Sequence, residues 1–138
     1  MNLLHILLAE DNAGDIFLVQ RALEEHGISH ELHVVRDGAE ALDFIACMGK
    51  PGGIPRPDLV LLDLNLPKAD GSEVLCEFRK HTECVETPVI VVSSSDAEKD
   101  RVRMAELGVA HYFRKPSDFD AFLKLGAVVR EVMKAAGG

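Results

Sequence analysis

The sequence has no tryptophan, a single tyrosine and only three cysteines. The cysteines (Cys47, Cys76 and Cys84) are odd in number and none forms a CxxC pair, which excludes a disulfide framework and disfavours a zinc site built on paired thiolates. Reduced thiols are typical of the cytoplasm, so we expect a cytoplasmic protein.

Positive charge is also scarce. Fifteen Lys and Arg residues stand against 23 Asp and Glu residues, for a formal net charge of -8, which argues against a nucleic-acid partner. No apolar run approaches the length of a membrane span, and residues 1–5 lack the basic region and cleavage site of a signal peptide. We expect one domain, residues 1–138, with no membrane partner.

Five strand-like segments alternate with five helical ones. The predicted strands are residues 3–9, 30–36, 88–92, 111–114 and the apolar run that ends at Asp63. The predicted helices begin near Gly14, Asp37, Ser72 and Asp96, and the last begins at a cap formed by Ser117 or Asp118. The last helix contains Gly126, whose local cost relative to alanine is about 1 kcal/mol. The alternation predicts an α/β fold with a parallel sheet covered by helices on both faces.

Polar side chains follow four of these strands. Glu10 and Asp11 come after the first, Asp63 after the third, Ser93 after the fourth and Lys115 after the fifth. Taken singly, each also fits a turn or a helix start. Together they meet at one sheet edge, where carboxylates about 4 Å apart repel by roughly 4 kcal/mol per pair. We therefore expect Mg²⁺ or Mn²⁺ there, and the lysine and hydroxyl suit a phosphoryl group.

The pattern resembles a two-component response-regulator receiver domain along the whole chain. The matching segments are Glu10-Asp11-Asn12, Leu62-Asp63-Leu64-Asn65-Leu66-Pro67, Asp70-Gly71, Ser93 and Tyr112-Phe113-Arg114-Lys115-Pro116. The resemblance implies a flavodoxin-like, doubly wound sheet of five parallel strands in the order 2-1-3-4-5, with five helices.

The resemblance also implies an acceptor and a metal site. Asp63 would be the phosphoacceptor for a phosphoryl group from a histidine kinase. Asp11 and Asp63 would ligate Mg²⁺ directly, together with the main-chain carbonyl of Asn65, while Glu10 would act through water.

Further roles concern the phosphoryl group and the response to it. Ser93 and Lys115 would hold phosphoryl oxygens, and Ser94 occupies the position where a small residue leaves room for them. Tyr112 would be the aromatic switch that follows Ser93. The Lys115–Pro116 bond of the family is usually cis.

A narrower resemblance is to the single-domain receivers that accompany bacterial phytochrome histidine kinases, and it rests on residues 63–68, Asp70-Gly71 and the Gly- and Pro-rich loop 49–57. Many members form homodimers through the fourth helix, fifth strand and last helix, and many carry a longer, aromatic carboxyl-terminal segment. The present chain instead ends in residues 133–138, Met-Lys-Ala-Ala-Gly-Gly.

With no output domain expected, the predicted function is a stand-alone phosphoacceptor. It would signal by binding a downstream protein or by relaying phosphate to a phosphotransfer domain, and would catalyse only its own phosphorylation and dephosphorylation.

Two other functions remain to be weighed. A haloacid-dehalogenase-like phosphatase would need an acid two residues after the nucleophile, where Asn65 stands. A flavodoxin-like electron carrier would need a hydroxyl-rich phosphate loop in place of Glu10 and Asp11.

Overall fold

Five parallel strands form one sheet in the computed structural model, which describes residues 3–137. The strands are β1 (Leu4–Ala9), β2 (His30–Val35), β3 (Leu59–Leu62), β4 (Val89–Ser93) and β5 (His111–Arg114). Their order is β2-β1-β3-β4-β5, and every neighbouring pair is parallel. All residues of β3 and β4 are buried, as expected for central strands covered on both faces. The predicted flavodoxin-like α/β fold is confirmed.

The helices begin largely where the sequence predicts. They are α1 (Ala13–Glu25), α2 (Gly38–Cys47), α3 (Gly71–Arg79), α4 (Glu98–Glu106), α5 (Phe119–Phe122) and α6 (Leu125–Gly137), with a 3₁₀ turn at Thr82–Cys84. Side chains of Asn12, Asp37, Asp70 and Asp118 accept a hydrogen bond from a backbone N–H in the first turn of α1, α2, α3 and α5. These caps fix the residue at which each of the four helices begins.

The predicted last helix is interrupted, so that α5 and α6 replace one continuous helix. At the junction Lys124, Gly126 and Ala127 donate backbone hydrogen bonds to carbonyls three residues earlier instead of four. This tighter, 3₁₀-type turn separates the short α5 from the long α6. Within residues 3–137, no helix has the length and apolar character needed to cross a membrane.

Two hydrophobic cores lie on opposite faces of the sheet. One packs α2, α3 and α4 against one face, and the other packs α1, α5 and α6 against the opposite face. Alternate residues of β1 supply both cores, with Leu7 and Ala9 on the first face and Ile6 and Leu8 on the second. The central strands are therefore covered on both faces, and their carboxyl ends are where buried polar side chains can meet.

At Gly126, α6 lies directly against the end of α1. A Cβ at this position would lie 2.5 Å from the Ala22 carbonyl oxygen and would also overlap the His26 imidazole. Glycine is required here by contact between helices, which outweighs its local helix cost.

We therefore predict that Gly126→Ala destabilises the protein by about 1–3 kcal/mol, because α6 must move away from α1. Local helix propensity alone predicts the opposite sign. Urea unfolding followed by circular dichroism measures the change. Gly137→Ala is the control, since nothing lies within 4 Å of a Cβ there. Stabilisation by Gly126→Ala would contradict the packing of α1 on α6.

Candidate functional site

The predicted site residues meet at the carboxyl edge of the sheet. Glu10 follows β1, Asp63 follows β3, Ser93 ends β4 and Lys115 follows β5. Sheet-type hydrogen bonds continue past three of the strand ends, from Glu10 N–H to the Val35 carbonyl (2.9 Å), from Asp63 N–H to the Ala9 carbonyl (3.0 Å) and from Lys115 N–H to the Ser93 carbonyl (2.8 Å). The backbone thus fixes where each side chain begins.

Burial sets this group apart from ordinary surface charge. Glu10, Asp63 and Ser93 are 1%, 5% and 0% exposed, and they are the buried polar residues of the chain between residues 3 and 137. Buried charges are costly unless paired, so a specific partner is required.

Lys115 is that partner. Its Nζ lies 2.7 Å from Glu10 Oε1, 2.8 Å from Asp15 Oδ2 and 3.0 Å from Asp63 Oδ2. An ammonium group has three donors, and here each has a carboxylate acceptor. Burial by itself would lower the pKa of Lys115, but the hydrogen bonds to the three carboxylates outweigh it and raise that pKa well above its usual range. The lysine is therefore a permanent positive charge in the pocket.

Glu10 is the carboxylate of the group whose ionisation is unfavourable. Burial, together with the nearby charge of Asp63, raises the pKa of Glu10 to about 7, although the bond to Lys115 and the Asn12 N–H oppose the rise. Its Oε2 accepts that Asn12 N–H at 3.1 Å. One lysine does not fully compensate the carboxylates, and the pocket retains an attraction for further positive charge.

A cation can be held by the acidic cluster of Glu10, Asp11 and Asp63. One carboxylate oxygen from each lies within 4.8 Å of the other two. Asp11 is exposed, which leaves its side of the cluster open to water. Hard oxygen donors with water access are the set that Mg²⁺ and Mn²⁺ favour. Asp63 Oδ1 also accepts the Asn65 N–H at 3.0 Å, and this bond holds the backbone of residue 65 close to the Asp63 carboxylate.

Ser93 and Tyr112 are connected through one residue. Ser93 Oγ accepts the N–H of Ser95 at 3.2 Å, and Tyr112 Oη donates to the carbonyl of the same Ser95 at 3.0 Å. The Arg101 guanidinium lies 4.5 Å from the centre of the tyrosine ring. Ser94, which lies between Ser93 and Ser95 in the chain, is exposed. Movement of Ser93 would thus disturb the backbone of Ser95, whose carbonyl also anchors Tyr112.

Comparison with known proteins agrees with this geometry. Residues 6–126 match the family described as the response regulator receiver domain. The chain belongs to that family.

Similar proteins include regulators linked to phytochromes. Response regulator Rcp1 of Synechocystis sp. is 42% identical over 120 residues, covering 87% of this chain and 82% of Rcp1. The structure of the phosphorylated cyanobacterial phytochrome response regulator RcpA matches with a TM-score of 0.85 at 38% identity, covering 96% of this chain and 95% of RcpA. The Mn²⁺-bound form of Rcp1 matches with a TM-score of 0.82 at 39% identity, covering 93% and 92% of the two chains.

One expectation for the receiver site is wrong. The Lys115–Pro116 bond is trans, as are the other peptide bonds of residues 3–137. Trans is the intrinsically favoured isomer even before proline, by about 0.5–1 kcal/mol, and the three carboxylate contacts of Lys115 are made with this isomer.

Asp15 contacts Lys115 in this pocket and was missed by the sequence pattern. It lies in the first turn of α1, one helical turn beyond Asp11, and not at the end of a strand. The signal that could have found it is the position of this turn, since a helix that starts directly after β1 must begin at the same sheet edge.

The pKa of Glu10 offers a direct test of the pocket's electrostatics. In metal-free receiver, ¹³C NMR of the Glu10 carboxyl is expected to give a midpoint near pH 7. Lys115→Met should raise it further, because the ammonium stabilises the ionised carboxylate. Lys50→Met, in an exposed loop, should leave it unchanged. A midpoint near 4.5, or one that ignores Lys115→Met, would contradict the assigned contacts.

Proposed function

We propose that the chain is a stand-alone response regulator that accepts a phosphoryl group on Asp63 from the phosphohistidine of a histidine kinase. The observation that carries the proposal is Asp63 itself, a buried carboxylate fixed by Asn65 N–H and Lys115 Nζ and placed among further acids at the strand ends. A carboxylate held in one orientation at a sheet edge is suited to attack an incoming group.

The transfer exchanges one bond for another. An Asp63 oxygen bonds to phosphorus while the phosphorus–nitrogen bond of the donor breaks, and the imidazole leaves with the electron pair and takes up a proton. Lys115 faces Asp63 and can hold a phosphoryl oxygen, and Ser93 can do so after rotating its hydroxyl. The residues therefore supply positioning and charge neutralisation rather than acid catalysis.

Mg²⁺ would be held by Asp11, Asp63 and the main-chain carbonyl of Asn65, with Glu10 acting through water. Mn²⁺ could bind there in place of Mg²⁺. Bound there, the metal supplies charge neutralisation for the approach of a dianion to a carboxylate. The oxygen donors of the acidic cluster fit this role, and the Mn²⁺-bound form of the relative Rcp1 supports it.

A phytochrome-type histidine kinase is the proposed donor. Support comes from the relatives, since RcpA is described as a cyanobacterial phytochrome response regulator and shares 38% of its residues with this chain. Downstream, the phosphorylated protein would bind a protein partner or a phosphotransfer domain.

The main test of the acceptor uses a small phosphodonor with Mg²⁺. We predict that wild type gains one phosphoryl group by intact mass, that hydroxylamine removes it, and that Asp63→Asn abolishes the gain. Asp43→Asn, on the exposed face of α2, should label normally. Labelling that survives Asp63→Asn, or that proceeds in excess chelator, would sink the mechanism.

The response to phosphorylation can be read from Tyr112, because the chain has one tyrosine and no tryptophan. We expect phosphorylation to change the intrinsic fluorescence of wild type, since Ser93 releases the Ser95 N–H as it turns to the phosphoryl group. Ser93→Ala should still label but lose this change. Ser29→Ala, at an exposed position just before β2, should behave as wild type. An equal fluorescence change in Ser93→Ala would refute the connection through Ser95.

A further inference from the structure

A second cluster of ligand-type side chains lies at the other end of the sheet. In the parallel register of β1 and β2, His5 pairs with Glu31, and His33 lies two residues further along β2. Because side chains alternate between sheet faces, Glu31 and His33 point to the same face. The contacts of His5 with both show that it shares that face.

The distances within this cluster match a metal coordination shell. His5 Nδ1 lies 3.2 Å from His33 Nε2 and 3.7 Å from Glu31 Oε2. One ligand atom from each of the three residues lies within 4.8 Å of the others. In a tetrahedral site with bonds of about 2.0–2.1 Å, neighbouring ligand atoms are about 3.3–3.4 Å apart. The two imidazoles already have this spacing, and the exposed Glu31 side chain needs only a small torsional change to reach it.

The two imidazoles are attached to rigid parts of the fold. The His33 ring packs against the Phe44 ring, with 5.9 Å between centroids. The His5 backbone makes two hydrogen bonds with Asp58. The His5 N–H donates to Asp58 Oδ2 at 2.9 Å, and the Asp58 N–H donates to the His5 carbonyl at 2.7 Å. A preorganised pair of ligands loses little entropy when it binds an ion.

We propose that His5, Glu31 and His33 form a binding site for a divalent transition metal of the Zn²⁺ class, with two nitrogen ligands, one oxygen ligand and an open fourth position for water. Imidazole donors favour Zn²⁺, Ni²⁺ or Cu²⁺ over Mg²⁺, whereas the acidic cluster around Asp63 has the reverse preference. The two sites are separated along β1 by the five residues from His5 to Glu10, or about 16 Å. The metal would join the edge strand β2 to β1.

Without metal, the same two nitrogens form an imidazole–imidazole hydrogen bond, one donating and the other accepting. A metal replaces that shared proton and adds the Glu31 carboxylate as a third ligand. The metal-free and metal-bound arrangements therefore differ in two ways. Only the metal-bound one depends on Glu31, and the two place different protons on the imidazole rings, so Glu31 substitution and histidine NMR distinguish them.

The test is calorimetric titration of the full chain with Zn²⁺ in excess Mg²⁺, which occupies the acidic cluster. We expect one Zn²⁺ per chain and at least about tenfold weaker binding in His5→Gln, His33→Gln and Glu31→Gln. His30→Gln and Glu25→Gln are the matched controls. His30 lies on the same strand as His33, but its Nδ1 is hydrogen-bonded to the Ile28 carbonyl before that strand, and Glu25 pairs with Arg21 on α1. Both controls should bind as wild type does.

Two spectroscopic readouts accompany the titration. Zn²⁺ should shift the ring signals of His5 and His33 in NMR spectra and leave those of His30 in place. Co²⁺ in the site should give the visible bands of a nitrogen- and oxygen-ligated ion, without the charge-transfer band of a thiolate. Circular dichroism without metal checks that each variant folds, and Glu31→Gln, which changes an exposed side chain, keeps the test available if a histidine variant does not.

Three results would overturn the site. These are Zn²⁺ binding that is unchanged in His5→Gln and His33→Gln, a loss of affinity in His30→Gln as large as in His33→Gln, and a thiolate band that disappears in Cys47→Ser or Cys76→Ser. None of them bears on phosphorylation at Asp63, whose labelling is measured without Zn²⁺.

Discussion

The ammonium of Lys115 is the interaction on which the polar end of the molecule depends. It is shared among Glu10, Asp15 and Asp63, which come from two strand ends and the first turn of α1. Without it, at least two buried carboxylates would face each other uncompensated, at a cost of several kcal/mol. With it, the pocket remains incompletely neutralised, as the raised pKa of Glu10 records. This balance holds the acids together while leaving them able to attract a cation.

The sheet order explains why these groups meet. The strand order reverses beside β1, so β1 and β3 are neighbours and their carboxyl ends form the crevice where open α/β sheets bind ligands. The ladder that continues to Asp63 and Lys115 then extends the rigidity of the strands to the side chains. On the other side of the pocket, Ser93 is connected through Ser95 to Tyr112. A change at Asp63 that moves Ser93 therefore has a short covalent and hydrogen-bonded route to the surface near α4.

Local signals were sufficient for the strands and for the residues at their ends. Apolar runs that stop on polar residues predicted β1, β3 and β4 and placed Glu10, Asp63 and Ser93 at one edge. Features set by contacts distant in sequence were not accessible. In the sequence, Gly126 indicates only a weak point in a helix, and its role becomes clear once α1 packs against it. Asp15 is likewise typical of the acid at a helix start, and its contact with Lys115, a hundred residues away, is visible only in the structure. The His5–Glu31–His33 cluster depends on the register between two strands, which spacing along the chain does not reveal. The cysteine spacing disfavoured only a zinc site built on paired thiolates and did not bear on one built on histidines.

The most direct measurement of the central claim is a crystal structure of the protein with Mg²⁺ and beryllofluoride, which mimics an acyl phosphate on a carboxylate. We predict beryllium bonded to Asp63, the metal between Asp11 and Asp63, and Lys115 Nζ on a fluoride instead of on Glu10. Beryllofluoride bound away from Asp63, or Lys115 still shared among the three carboxylates beside an occupied Asp63, would contradict the proposed acceptor site.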